Sequence, residues 1–445
     1  MIDSIKSMLK TASLRQIIAN SFWIMLDNIV RIGVGFFVGV WVARYLGPSQ
    51  YGLWNYAISF VAIFSVIANP GFNDIVIRDV VRMSEKRGEV LGTSFFLRLV
   101  GASIASVLAI IIILILSHRD FLTTALVAVS AVGLIFQSFD VISLWFESRV
   151  KSQKSVTVRL IAFSVSSAIK VALILSHASL IYFALASIIE LGLSAIGIIL
   201  AYWHDKQSFR AWQFTIPYAK TMLRNCWPIM AAGALSMVYL RVDKILVGNL
   251  ISDSALGNYS VGTMLTESLR FVAIAITASV FPAIIYSKQQ NEKLYLHRLQ
   301  MLYNFMILMA VVIAVPITIF AHQIIHLLYG DQFSQAATVL SIYIWTNVFM
   351  FSDFAASKWF YTENLQKFIL YKDLAGAIVS LALDLILIPR IGVIGAAISG
   401  IISIMIVTYL GNLFFPQTRI VFRMQTASFF HFLSYHKLKS EINSD

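Results

Sequence analysis

Residues 71–116 read GFNDIVIRDVVRMSEKRGEVL and then GTSFFLRLVGASIASVLAIIIILIL. The first part, 71–91, is polar and carries Arg78, Arg82, Lys86 and Arg87; the second, 92–116, is almost wholly apolar. About 20 helical residues cross the roughly 30 Å of hydrocarbon in a bilayer. The run 92–116 therefore reads as one membrane crossing, with a basic loop at its start. Carried outward on the same ruler, the chain divides into twelve spans near 20–45, 51–70, 92–116, 121–146, 156–176, 179–202, 224–249, 258–285, 301–328, 335–358, 368–388 and 393–415.

The connections alternate in charge. Lys and Arg concentrate in the N-terminal segment, 71–91, 147–155, 203–223, 286–300, 359–367 and the tail after Pro416. The connections between them, at 47–50, 117–120, 177–178, 251–257, around Gly330 and at 389–392, are short and hold almost none. Short cytoplasmic loops keep Lys and Arg while translocated ones lose them, so both termini are expected in the cytoplasm. Residues 1–15 form a short Ser- and Lys-containing amphipathic stretch ahead of a full-length span, without the short apolar core of a cleaved leader, so that span is expected to be retained.

Composition agrees. Of 445 residues, 59% are hydrophobic and 13% charged, and the mean hydropathy is +0.80; a soluble domain carries about 25% charged residues. The net charge of +12 would suggest nucleic acid in a soluble chain, but cations lining membrane loops report topology and contact with anionic lipid, so no nucleic-acid partner is expected. One cysteine, Cys226, allows no internal disulfide and no cysteine-based metal cluster.

The halves repeat. Asn20-Ser-Phe-Trp opens the first span and Asn225-Cys-Trp-Pro the seventh, while Tyr51-Gly-Leu-Trp opens the second and Leu256-Gly-Asn-Tyr the eighth. Asn20 and Asn225 are 205 residues apart, as are Gly52 and Gly257. Both copies start on the same side, as expected of parallel six-helix repeats, and substrate sites in repeat-built transporters lie between such halves. The expected division is 1–203 for the first bundle, 204–223 for a cytoplasmic linker, 224–415 for the second bundle and 416–445 for a cytoplasmic tail. Pro228, Pro282 and Pro316 fall within spans and should kink them.

Ionisable groups in hydrocarbon cost several kcal/mol, so each needs a partner, water or a purpose. The cations read within spans are Arg31, Lys170, Arg241, Lys244 and Arg270; the acids are Asp27, Asp140, Glu190, Asp243, Glu267, Asp353 and Asp384. Asn20, Asp27 and Arg31 stack on one helical face, and Asp27 precedes Arg31 by four, the favourable order for a helical ion pair. Two readings stand for Arg31: a self-satisfied pair joining helices, or a cavity-facing cation near the midplane. Arg241 and Lys244 share one face, with Asp243 turned about 200° away, and Glu267 and Arg270 share another. Arg31, Arg241, Lys244 and Arg270 would make a cationic chamber for an anionic substrate if their spans face one cavity; Arg241 and Lys244 could instead snorkel to headgroups, as could Lys170. Asp140, Glu190, Asp353 and Asp384 are candidates for Na+ or H+ coupling, or for hydrogen-bonding a sugar. No other cofactor is expected: there is no Walker loop, no His-Glu-x-x-His and no nucleophile elbow, and the His322/His326 pair lacks a third metal ligand.

Three stretches carry a family resemblance: Tyr45-Leu-Gly-Pro-Ser-Gln-Tyr-Gly-Leu-Trp; Gly71-Phe-Asn-Asp-Ile-Val-Ile-Arg-Asp, continuing through Glu85-Lys86 to Leu97-Arg98; and Leu387-Ile-Pro-Arg-Ile-Gly-Val-Ile-Gly-Ala-Ala. With the twelve-span layout, the chain resembles bacterial polysaccharide repeat-unit flippases of the O-antigen (Wzx) type, within the multidrug/oligosaccharidyl-lipid/polysaccharide exporter superfamily. The resemblance implies an all-α, V-shaped bundle pair in the inner membrane. It also implies movement of an undecaprenyl-diphosphate-linked oligosaccharide, such as a lipopolysaccharide precursor, to the periplasmic leaflet beside a polymerase and a chain-length regulator. By that resemblance Arg31 and Arg270 meet phosphate or acidic sugar, to which the charge reading adds Asp27, Arg241 and Lys244, and Arg78 and Asp79 match a cytoplasmic loop motif with a gating, structural or binding role. The rival within the superfamily is a cation-coupled drug extruder. A polymerase or glycosyltransferase would need large outer loops, which are lacking here, and a pure scaffold would not need midplane arginines.

Overall fold

The structure is a computed structural model that describes residues 12–431, apart from residues 70, 117–120, 364 and 366. Among the described residues there is no strand. The chain opens on the helix Ala12–Ala68, whose 57 residues would measure about 85 Å if straight, far more than one crossing needs. It is broken at Gly47, where φ is 71°, immediately before Pro48. Only glycine adopts that backbone without strain, and proline cannot continue a hydrogen-bond ladder.

Among the described residues eight stretches are long and apolar enough to cross a membrane, or nine when the bent pair Asp331–Tyr343 and Thr346–Phe360 counts as one. Two of them, Phe22–Arg82 and Lys367–Phe414, are long enough for two crossings and contain the glycine breaks at Gly47 and Gly392. The helix Ile216–Leu250, which carries Arg224, Arg241, Asp243 and Lys244, is not among them. Counted with these, each of the twelve expected crossings has a helix. Large apolar side chains such as Phe121, Ile115 and Leu175 lie exposed, as a lipid-facing surface requires.

The chain divides into two units, one holding residues up to Leu46 with Ala57–Gly233 and the other Gly47–Tyr56 with the residues from Ala234 onward. In the first, Ser152–Leu175 packs along Leu180–His204, and Arg87–Leu116 along Phe121–Gln137. Hydroxyls join these pairs: Ser106 Oγ donates to the Ala131 carbonyl at 2.7 Å, and Ser166 Oγ to that of Ala186 at 3.0 Å. Such bonds contribute about 0.6 kcal/mol each inside a membrane protein. At the Lys/Arg-rich end, Asn73–Arg82 and Val141–Ser148 close over a core of Phe72, Val76, Trp145, Phe146 and Tyr202.

The stretch 204–223, expected as a cytoplasmic linker, packs on this first unit. Gln213 N–H donates to the Gly88 carbonyl at 3.1 Å, Trp212 Nε1 to Tyr202 Oη at 3.0 Å, and Thr215 Oγ1 to Glu89 at 2.5 Å. Its aromatic residues have apolar surface to bury, and the nearest core takes them.

In the second unit, Glu292–Ile319 packs against Thr346–Thr362 around Tyr303, Met306, Phe351 and Phe360. Residues 419–431, expected in a tail, form the helix Arg419–His431 on the same core, where Gln300 Nε2 donates to the Met424 carbonyl at 3.0 Å and to Ser428 Oγ at 2.7 Å. The rest of the expected tail, and residues 1–11 of the N-terminal stretch, lie outside the described residues. The segment 47–56 belongs to this unit because its glycine meets the repeated one. A Cβ on Gly52 would come within 1.8 Å of the Asp253 carbonyl oxygen, and one on Gly257 within 2.0 Å of the Pro48 carbonyl oxygen. The two glycines found 205 residues apart thus let two helices touch backbone to backbone, the usual use of small residues between membrane helices.

Candidate functional sites

Each unit holds its own cluster of charged groups in its membrane-spanning helices. In the first unit Arg31 is the centre. Its Nε donates to Asp27 Oδ1 at 3.0 Å, Nη1 to Glu190 Oε1 at 3.1 Å and Nη2 to the Arg159 carbonyl at 3.3 Å. Arg159 Nη2 lies 3.0 Å from the other oxygen of Asp27, and the Arg31 guanidinium sits 5.2 Å from the Phe163 ring centre. Asp27 is 6% exposed; the two guanidiniums keep about a third of their side-chain surface open, at 32% and 31%. Three helices, Ala12–Ala68, Ser152–Leu175 and Leu180–His204, are tied by this one network. Asn20, one turn-stack below Arg31, caps the second of them by accepting from Ser152 N–H at 2.7 Å.

Of the two readings open for Arg31, the structure shows the ion pair, extended to four groups. Glu190 is a partner of Arg31 rather than a lone acid. Asp140 faces Arg98, Arg159 and Arg31 electrostatically, and Lys170 faces Glu190 and Arg31. Arg98, only 3% exposed, donates to Asn73 Oδ1. At the Lys/Arg-rich end, Arg78 Nε donates to Asp79 at 2.8 Å and Tyr218 Oη donates to the same carboxylate at 2.9 Å. Asp79 thus pins Asn73–Arg82 to the start of Ile216–Leu250.

In the second unit the positive charge is less balanced. Arg241 Nη1 lies 3.5 Å from Glu267, and Glu267 has Lys244, Arg241 and Arg270 as electrostatic neighbours. Lys244 is 4% exposed, so it is buried and reaches no headgroup. Asp243 points elsewhere, as its 200° turn requires, and accepts from Tyr259 Oη and from the Lys244 backbone. Arg270 sits at a break within a long apolar span, directly after Leu269. Its Nε donates to Asn347 Oδ1 at 3.2 Å and Nη2 to Thr346 Oγ1 at 3.4 Å, both neutral. Asn347 is held in turn by donating to the Thr266 carbonyl at 3.0 Å. Arg241, Lys244, Glu267 and Arg270 are therefore brought together; Arg31 belongs to the cluster of the other unit.

A polar cavity in this unit, of about 140 Å³, is lined by Ser236, Tyr239, Asp353, Lys372 and Asp373 among others. Lys372 is 3% exposed; its Nζ donates to Asn412 at 2.9 Å and lies 4.2 Å from the Phe360 ring centre. Ser236 Oγ donates to Asp373 at 3.0 Å, and Asp353 accepts from Ser357 at 3.4 Å. Asp384 is fully buried, accepts from Ser380 at 3.2 Å, and its Oδ1 has no hydrogen-bond partner.

Sequence reasoning missed Arg98, Arg159, Lys372 and Asp373. All four fall inside expected spans but near a basic end, where charge is unremarkable. A usable signal exists for one: Arg159 and Lys170 are eleven apart on one helical face, the spacing of Asn20 and Arg31. No group of three or more His, Cys, Asp or Glu that could hold a metal ion occurs among the described residues.

The polysaccharide biosynthesis protein family matches residues 17–288, and the MatE family matches 228–386. The probable low-salt glycan biosynthesis flippase Agl15 of Haloferax volcanii is 24% identical over 408 residues, 88% of this chain and 82% of that protein. The probable lipid II flippase MurJ of Helicobacter pylori is 24% identical over 191 residues, 41% of this chain and 42% of that one. Among solved structures, lipid II flippase MurJ in an inward closed conformation superposes with a TM-score of 0.68 at 15% identity, covering 94% of this chain and 93% of its own. An inward-facing multidrug resistance MATE transporter gives 0.67 at 12% identity, covering 92% and 99%. At such identities the two superpositions establish the exporter fold.

Proposed function

Since the chain belongs to the polysaccharide biosynthesis protein family, we propose that this multi-pass membrane protein is a flippase that carries a lipid-linked, anionic oligosaccharide from one leaflet to the other by alternating access. The observation that carries the reading is Arg270, a guanidinium inside a membrane span whose hydrogen-bond partners are neutral, with Arg241 and Lys244 beside it and two carboxylates, Glu267 and Asp243, against the three cations. An unbalanced cation in hydrocarbon is costly, and a diphosphate or an acidic sugar arriving there would supply the missing charge through bidentate hydrogen bonds. The similarity to a probable glycan biosynthesis flippase and to a probable lipid II flippase supports the same class.

In its specific form the substrate is an undecaprenyl-diphosphate-linked O-antigen repeat unit, the membrane is the bacterial inner membrane with both termini cytoplasmic, and a polymerase and chain-length regulator take the product. Coupling to Na+ or H+ is assigned to Asp384, a fully buried carboxylate with one unpartnered oxygen, with Asp140, Glu190 and Asp353 as further candidates. The test is leaflet accessibility of the lipid-linked oligosaccharide in membranes carrying wild type or Arg270→Ala at equal expression. The glycolipid should accumulate in the cytoplasmic leaflet with the variant. Continued translocation in a strain lacking the protein would overturn the reading. The match of the MatE family to 228–386 favours a second reading, a cation-coupled drug extruder; it predicts a change in susceptibility to cationic drugs with normal glycolipid movement.

A further inference from the structure

At the Lys/Arg-rich end of the first unit two open pockets lie on either side of one aromatic wall. The larger, about 530 Å³, is apolar and ringed by Phe95, Phe96, Trp203, Trp212 and Phe214. Phe96, Trp203 and Phe214 are exposed, and the Phe96 and Phe214 ring centres lie 4.5 Å apart. The smaller, about 410 Å³, is polar and lined by Arg87, Arg149, Lys151 and Asp205. Between them stand Trp212, Tyr202 and Trp145, whose ring centres follow one another at 5.9 and 5.1 Å. The connection 205–214 forms part of both rims.

The charges in the polar pocket are unequal. Asp205 is shared by Lys151, at 3.0 Å, and by Lys154. Arg87 and Arg149 have no hydrogen bond or ion pair from their side chains among the described residues, and both are exposed. Two unpaired guanidiniums within two ring contacts of an exposed aromatic pocket suit one kind of molecule: an amphiphile with a phosphate at one end and a hydrocarbon chain at the other. Basic pockets between helices at the membrane surface recognise anionic headgroups in this way, and aromatic rings settle at the same depth.

The geometry points to a binding site for an anionic phospholipid, its phosphate on Arg87 and Arg149 and one acyl chain in the pocket of Phe95, Phe96 and Phe214. The site is separate from both charge clusters and does not depend on what the protein transports. It commits to a bilayer lipid, because the apolar pocket has no use in binding a free anion.

Native mass spectrometry of the detergent-purified full chain, titrated with phosphatidylglycerol or with phosphatidylcholine, tests it. Phosphatidylglycerol should bind preferentially, and Arg87→Ala with Arg149→Ala should weaken it roughly fivefold per guanidinium, about 25- to 30-fold together. Arg87→Lys with Arg149→Lys should retain most of the preference and guards against misfolding. Phe96→Gln with Phe214→Gln should also weaken phosphatidylglycerol. Equal binding of the two lipids, an unchanged preference in the double alanine variant, or full displacement by millimolar inorganic phosphate would each overturn the proposal.

Discussion

Arg31 and Arg270 are the same side chain, each inside a long apolar span, and the two units treat them differently. Arg31 has two carboxylates and a carbonyl on its guanidinium, and Arg159 completes a ring through Asp27. Arg270 has an amide and a hydroxyl. One cluster is closed on itself and joins three helices; the other holds its cation by hydrogen bonds to neutral groups, with Glu267 only an electrostatic neighbour. An arginine in a membrane is therefore not one signal. Its meaning depends on whether carboxylates arrive from other helices.

The sharpest way to break this contrast is to remove each arginine in turn. Arg270→Ala should cut translocation roughly 10- to 100-fold, the value of a charge-assisted hydrogen bond, while the melting temperature of the purified protein moves little. Transport at the wild-type rate would place the anion site elsewhere. Asp27→Asn should do the converse and lower stability by roughly 2–3 kcal/mol, less than the 3–5 for a fully buried pair because both guanidiniums stay about a third exposed. Thermal unfolding in detergent measures it.

A double-mutant cycle refines the comparison. Arg31→Met with Glu190→Leu should show a coupling of about 1–2 kcal/mol, whereas Arg270→Met with Asn347→Leu should be nearer additive, below about 1 kcal/mol. Equal couplings would erase the distinction between closed and open clusters.

Asp205, outside the spans, gives the scale for a pair in water. Hydrogen bonds from Lys154 and then Lys151 hold its carboxyl below the usual aspartate range. A carboxylate lowered in the folded state contributes stability above its unfolded value, near 3.9, and loses it as pH falls through the lower folded value. Asp205→Asn should remove less than about 1 kcal/mol at neutral pH, because both lysines are well exposed, and should flatten the acid side of the stability profile.

Much of the fold was legible because bilayer thickness imposes span length and loop charge, and both are local properties of sequence. The glycine pair was legible as a repeat, through the shared offset of Gly52 and Gly257, but not as a contact. The clusters were only half legible. Asp27 and Arg31 announce each other at a spacing of four, yet Glu190 is 159 residues from Arg31, and no local pattern joins them. Arg159 and Lys372 were obscured by the same rule that revealed the topology: near a basic end, a cation looks like a loop residue. The packing of the 204–223 linker was not legible, because no local pattern tells that Phe209, Trp212 and Tyr218 lie on the first unit's core.

The meeting of Gly52 with the backbone at Asp253, and of Gly257 with Pro48, sets a clock on biogenesis. The ribosome delivers the first half of that contact about 200 residues before the second, which at 5–20 residues per second is a wait of roughly 10–40 s. Throughout that interval a glycine-smoothed helix surface already inserted in the membrane lacks its mate, and whatever assists insertion must leave that surface free until the later strand of nascent chain arrives.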